Sequence, residues 1–177
     1  MALDVLADML PPYARDMAQN LRIVADEVVL NDAQKWGAFL ACAYACGETT
    51  VLKQVAREAG AFLTPEAFDA ARSAATIMSM NNVYYRALHL MHNQEYAALP
   101  AKLRMNVLGN PGVPKIDYEL WCFAVSAING CGLCLDSHEK VLRSHAVTAV
   151  EVQFALRIAA IVTAVGVVLR AEAACRD

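Results

Sequence analysis

Apolar positions recur every three to four residues along most of the chain, and the period-two alternation of half-buried strands is absent. The pattern predicts helices throughout. A short helix over Leu3 to Leu10 is stopped or bent by Pro11-Pro12, because proline cannot donate inside a helix. Pro12 suits the first turn of a second helix running to about Val29. Asn31 is an N-cap for a third, with Gln34 placed to complete a capping box, and Gly47 ends it. Thr49 or Thr50 opens a fourth, which closes near Gly60.

Thr64-Pro65-Glu66 combines a hydroxyl cap, a first-turn proline and an acid at the positive end of the helix dipole. The segment it opens reaches about His92, as one helix or as two broken near Asn81-Asn82. Met78, Met80, Tyr84, Tyr85 and Leu88 on this segment line either plain core, the favoured reading because methionine fills irregular gaps, or a pocket. His89 and His92 read as surface side chains, since no acid or thiol accompanies them at ligand spacing. From Gln94 to Lys115 the helical signal fades, and Asn110-Pro111-Gly112-Val113-Pro114 is turn chemistry. Asp117 is positioned to cap the next helix, Asn129-Gly130 to end it, and Cys131 to open another running to about Ser144. Thr148 and Glu151 form a capping box for the last helix. The expectation is a single all-α domain over residues 1–177, with roughly seven to nine helices.

Composition narrows the function classes. The chain is 58% hydrophobic and 19% charged, which leaves apolar surface for copies of itself to cover and predicts an oligomer. The net charge of −3 and the lack of a basic cluster argue against nucleic acid. Ile158 to Leu169, between Arg157 and Arg170, is too short an apolar run to cross a bilayer, so no membrane association is expected. The acidic N-terminus lacks the basic region of a secretory signal, which predicts a cytoplasmic protein. There, six cysteines are not a disulfide framework. Cys42, Cys46, Cys122 and Cys175 fall in apolar helical surroundings and read as small hydrophobes.

Cys131 and Cys134 differ because reactive groups gather around them. Three residues apart at a helix start, they share a face with Cα atoms about 5 Å apart, within the reach of a disulfide. Unpaired N–H groups in a first helical turn favour thiolate. His138 lies four residues past Cys134, which places the imidazole over the second thiol. Glu119 would be about 18 Å from Cys131 along one continuous helix, but a hairpin at Asn129-Gly130 sets it about 15 Å from the corner, near the level of His138 at about 12 Å. The predicted relay is Glu119 to His138 to Cys134, with the ring taking the thiol proton. Zinc held by Cys131, Cys134 and His138, with Cys122 or Glu119 as a fourth ligand, is the competing chemistry and would make this a zinc-stabilised non-catalytic protein. It is disfavoured because no second Cys-x-x-Cys exists. A thioredoxin-like site is disfavoured by the absence of a strand before the motif.

Glu119, eleven residues, Cys131-x-x-Cys134, three residues, His138 resembles the signature of the alkyl hydroperoxide reductase D (AhpD) proteins, within the carboxymuconolactone-decarboxylase-like superfamily. Residues 77–86, 103–115 and 118–130 resemble the same family. The resemblance implies an all-helical homotrimer and an antioxidant peroxidase with no bound cofactor or metal. Cys134 would be the peroxidatic residue, passing through a sulfenic acid. Cys131, nearer the surface, would donate a proton and then resolve the intermediate to a Cys131–Cys134 disulfide, and Glu119 and His138 would relay protons. A lipoyl group on a dehydrogenase-complex subunit would reduce the disulfide. The oxidants would be organic hydroperoxides or an oxidised AhpC-type peroxiredoxin that the protein regenerates. A decarboxylase-like or lactone-processing activity of the wider superfamily is the remaining enzymatic alternative, though it does not call for the Cys-x-x-Cys. Close members of the family carry histidine just before the second cysteine, where this chain has Leu133.

Overall fold

The computed structural model describes Met1 to Cys175. Among the described residues there are eight α-helices and no strand. They are α1 (Ala2–Asp8), α2 (Arg15–Asp26), α3 (Asp32–Cys46), α4 (Thr49–Ala59), α5 (Pro65–Leu90), α6 (Lys115–Ile128), α7 (Gly132–Ser144) and α8 (Ala149–Ala174). Short 3-10 turns cover Pro12–Ala14 and Asn106–Leu108.

The centre of the molecule is α3, which touches α4, α5, α6 and α8. Residues Ala38 to Ala43 on it are all buried, so it is apolar around its whole circumference, as a helix enclosed by others must be. Small residues set its distance from its neighbours. At Gly37 a Cβ would overlap the indole of Trp121, so only glycine lets α6 lie this close. The indole N–H then donates to the Gln34 carbonyl at 3.1 Å. On α5, Ala70, Ala71, Ala74 and Ala75 form a buried stripe that allows a similar approach. Trp36, Phe39, Trp121 and Phe154 supply the bulk of the core, each burial of a large apolar side chain stabilising by about 1.5–3 kcal/mol before conformational entropy is charged.

Local signals set several boundaries. Asn31 Oδ1 accepts from Gln34 N at 2.9 Å, and Thr64 Oγ1 from Ala67 N at 3.2 Å. Thr148 and Glu151 close the capping box at α8. Others move. The Pro12 turn is 3-10, so α2 begins at Arg15 and ends at Asp26, short of Val29. The Gln34 amide does not turn back to complete a box, because it donates to Asp117 Oδ1 at 2.9 Å. Glu48, not a threonine, caps α4, its carboxylate accepting from Val51 N at 2.6 Å. Asp117 is not a cap either: α6 starts at Lys115 after Pro114, and Asp117 sits inside its first turn.

Helix α5 is continuous through Asn81 and Asn82, both buried. Helix α8 exceeds the apolar run that marked it. At 26 residues it is long and apolar enough to cross a bilayer, yet half of its most apolar window is buried inside the subunit, where it packs on α2, α3 and α6. That is the pattern of a core helix. Between α5 and α6, residues 91–100 are exposed throughout.

Candidate active site

The corner between α6 and α7 is set by backbone hydrogen bonds. Gly130, at φ +65°, takes the left-handed conformation after Asn129. Its N–H donates to Ala127 O at 3.2 Å, and Cys131 N–H donates to Ser126 O at 3.1 Å. This pair of bonds is a Schellman motif, which ends α6 and fixes the direction in which Cys131 leaves it. Cys131 is the N-cap of α7, and its carbonyl accepts from Leu135 N at 2.9 Å. Cys134 lies in the first turn, where free N–H groups and the helix dipole favour a thiolate. The two cysteines form a disulfide, with Cα atoms 5.3 Å apart.

A third helix holds the corner. Asn82 on α5 donates to Ser126 Oγ at 3.0 Å and accepts from Asn129 Nδ2 at 3.0 Å. Arg86, one turn further on, donates to the Asn129 carbonyl. The end of α6 and the corner are thus referenced to α5.

Glu119 and His138 meet across the hairpin. His138 Nδ1–H donates to Glu119 Oε2 at 2.6 Å, with the two side chains 12% and 15% exposed. This bond fixes the ring's tautomer and orientation. The other ring nitrogen, Nε2, lies 3.3 Å from Met78 Sδ. Cys122, one turn beyond Glu119, is fully buried. Burial, and secondarily the Glu119 charge, push its thiol well above the ordinary range, so it stays a protonated packing residue. Among the described residues no group of three or more His, Cys, Asp or Glu is arranged to hold a metal ion.

A pocket of about 370 Å³ opens over the second cysteine. Its wall is Met78, Asn81 and Tyr85 from α5, Met105 and Leu108 from the following segment, and Leu133, Cys134, Ser137 and His138 from α7. No lysine, arginine or carboxylate is among these residues, so the pocket suits a neutral, largely hydrocarbon ligand.

The carboxymuconolactone decarboxylase family model matches residues 94–177. An alkyl hydroperoxide reductase AhpD of Maricaulis maris (strain MCS10) is 56% identical over 172 residues, covering 97% of this chain and 99% of its own. Those of Hyphomonas neptunium (strain ATCC 15444) and Streptomyces coelicolor (strain ATCC BAA-471 / A3(2) / M145) are 53% and 55% identical, each covering 98% of this chain and 97% of its own. This chain belongs to the AhpD family.

Within this AhpD chain the four residues read from the sequence fall in one neighbourhood, with two differences from expectation. Cys131 is fully buried, while Cys134 is 7% exposed and lines the pocket, so the first cysteine is not the one nearer the surface. The reason is positional: the N-cap residue is tucked under the corner, and Cys134, one turn on, faces the opening. Secondly, the imidazole does not bond the Cys134 sulfur, which is joined back to Cys131; the ring's free nitrogen meets the Met78 thioether instead.

Met78 and Tyr85 line the pocket, Met78 being at the same time a buried member of the core, while Met80, Tyr84 and Leu88 are not among the lining residues. The Asn82–Arg86 clamp was not legible in the sequence. The available signal was the spacing of Met78, Asn81, Asn82 and Tyr85 at i, i+3, i+4 and i+7, a single helix face carrying two amides.

Proposed function

We propose that this chain is an antioxidant alkyl hydroperoxide reductase that cycles Cys131 and Cys134 between dithiol and disulfide. The observation that carries this reading is the bridged pair at the start of α7, with Cys134 facing an apolar pocket beside the Glu119–His138 pair. The curated relatives, named alkyl hydroperoxide reductases, support the same reaction class.

Exposure to the pocket makes Cys134 the attacking residue. In the reduced site its thiol proton passes to His138, whose imidazolium is stabilised by the Glu119 carboxylate. The Cys134 thiolate attacks the terminal oxygen of the hydroperoxide. The O–O bond breaks, the alkoxide takes the proton from His138, and Cys134 becomes a sulfenic acid. Cys131 then attacks the Cys134 sulfur, water leaves, and the disulfide forms. Cys131, buried behind Cys134, is placed for this second step rather than for meeting the peroxide.

A dihydrolipoyl group on a dehydrogenase-complex subunit returns two electrons and two protons, becoming the cyclic disulfide. An apolar pocket without fixed charge fits its hydrocarbon arm. The lipoyl group acts as an external reductant, and no resident cofactor is required. An oxidised AhpC-type peroxiredoxin is the second electron acceptor in this scheme. We place the cycle in the cytoplasm, where thiols are kept reduced. We also propose a homotrimer, supported by apolar side chains that α8 leaves exposed, Val150 and Val167 among them.

The test is thiol titration and turnover. Reduced protein should lose two reactive thiols to cumene hydroperoxide and regain them with dihydrolipoamide, and Cys134→Ser should abolish peroxide consumption. Undiminished turnover by Cys134→Ser would refute the reading.

A further inference from the structure

We infer that Met78 is a positioning residue for His138: its thioether sulfur holds the Nε2–H of the imidazole while the two cysteines are joined, and keeps that proton ready for Cys134 when the disulfide is reduced. This deepens the function proposed above and rests on it.

Met78 sits on α5 and is 1% exposed. Polar groups from three helices converge on its sulfur. His138 Nε2 on α7 lies at 3.3 Å, Ser126 Oγ on α6 at 3.6 Å and Asn82 Nδ2 on α5 at 3.7 Å. Asn82 Nδ2 has a better acceptor in Ser126 Oγ, at 3.0 Å. The Ser126 hydroxyl hydrogen and His138 Nε2 are directed at the sulfur. A thioether sulfur accepts weakly and has no hydrogen to give, so both of these groups are donors in this arrangement. Leucine would fill nearly the same volume and leave both facing carbon. Sulfur at this position therefore acts through its lone pairs as well as its bulk.

The other side of the ring completes the picture. His138 Nδ1–H donates to Glu119 Oε2 at 2.6 Å. With an acceptor at each nitrogen, the ring holds a proton on both and is poised as an acid. Its natural recipient is occupied, because the Cys134 sulfur is bonded to Cys131. His138 lies one turn beyond Cys134 on α7, and both line the pocket. In the reductive half-reaction a dihydrolipoyl thiolate attacks the Cys134 sulfur, the bond to Cys131 breaks, and Cys131 leaves as a thiolate. The second lipoyl thiol gives its proton to Cys131 and attacks the first lipoyl sulfur. The lipoyl ring closes as a disulfide, and Cys134 leaves as a thiolate that takes the Nε2 proton from His138. The proton released by the first lipoyl thiol replaces it. Two electrons and two protons have then passed from the lipoyl group to the cysteines.

The experiment uses full-length protein carrying isotope-labelled histidine: wild type, Met78→Leu, which removes the sulfur at nearly constant volume, and Met78→Gln, which offers an acceptor on a side chain of similar length. Proton–nitrogen NMR of the disulfide form should show a His138 Nε2–H signal protected from exchange with water in wild type. Met78→Leu should lose it and Met78→Gln should regain it. Reduction by dihydrolipoamide should slow about threefold to tenfold in Met78→Leu, the effect of one hydrogen bond, and recover in Met78→Gln. That loss should exceed any loss toward cumene hydroperoxide at least about threefold, whereas a merely structural role would slow the two half-reactions alike. The inference is overturned by a wild-type disulfide form without a protected Nε2–H, by a signal that survives in Met78→Leu, or by equal losses in the two half-reactions. The wild-type spectrum decides even where a variant melts early. A wild-type disulfide inert toward dihydrolipoamide would instead overturn the lipoyl-dependent reading, with the spectra still testing what holds His138.

Discussion

Replacing Asn82 with alanine removes the amide that ties the end of α6 and the α6–α7 corner to α5. Asn82 is fully buried, as is its partner Ser126, while Asn129 is half-buried. In Asn82→Ala the Ser126 hydroxyl loses its donor at 3.0 Å and the Asn129 amide loses its acceptor at 3.0 Å. A buried polar group left without a partner costs about 1–3 kcal/mol, and Ser126 Oγ, left with only the weak Met78 thioether acceptor at 3.6 Å, bears most of that. Water can reach Asn129, which lowers its share, but the vacated amide volume adds a cavity contribution. Together these give about 2–4 kcal/mol, or about 4–16 °C in melting temperature for a chain of this size. The consequence for chemistry follows from geometry. Disulfide closure requires the Cα atoms to stay near their 5.3 Å separation, and the corner that fixes Cys131 is what Asn82 holds. A looser corner leaves the Cys134 sulfenic acid waiting longer for Cys131 and open to further oxidation. The assay is calorimetry at one protein concentration, since an oligomer's melting point depends on it, paired with dimedone trapping of sulfenic acid after one equivalent of cumene hydroperoxide. A double-mutant cycle with Asn129→Ala should show a coupling of about 0.5–3 kcal/mol. Melting within about 2 °C of wild type, together with no extra trapping, would refute the clamp.

Two further outcomes are expected. Glu119→Gln keeps an acceptor for His138 Nδ1–H but removes the charge that stabilises the imidazolium, so oxidation of the reduced protein by cumene hydroperoxide should slow about ten- to a hundredfold. A wild-type rate would remove the relay while leaving the dithiol chemistry in place. Burial raises the Asp117 carboxyl above its ordinary 3.8, with the Gln34 hydrogen bond opposing the shift. Below that value both states are protonated and the group contributes nothing. As pH rises through it, the unfolded chain ionises first and stability falls, until the folded carboxyl ionises too. Asp117→Asn should therefore gain melting temperature over wild type between pH 3 and pH 7 in a scan series, and a variant whose disadvantage grows over that interval would contradict the sign.

The elements that sequence alone determined are those whose cause lies within four residues. Asn31, Thr64 and Thr148 cap their helices with side chains that bond backbone three positions on, and neighbours in sequence suffice to specify such bonds. The same locality made the corner readable, because Asn129-Gly130 supplies the left-handed residue that a Schellman motif needs. Given that corner, helical rise placed Glu119 at the level of His138. Tertiary structure decided whatever depends on a third helix. His138 meets Met78 across 60 residues and Asn129 meets Asn82 across 47, and neither meeting follows from periodicity. Periodicity says that a face is buried, not what it is buried against. For the same reason Asn81-Asn82 could be read as a break, although Asn82 holds the corner and Asn81 is part of the pocket wall. The burial of Cys131 beneath Cys134 likewise follows from the way α5, α6 and α7 close together, and from nothing in the motif's spacing.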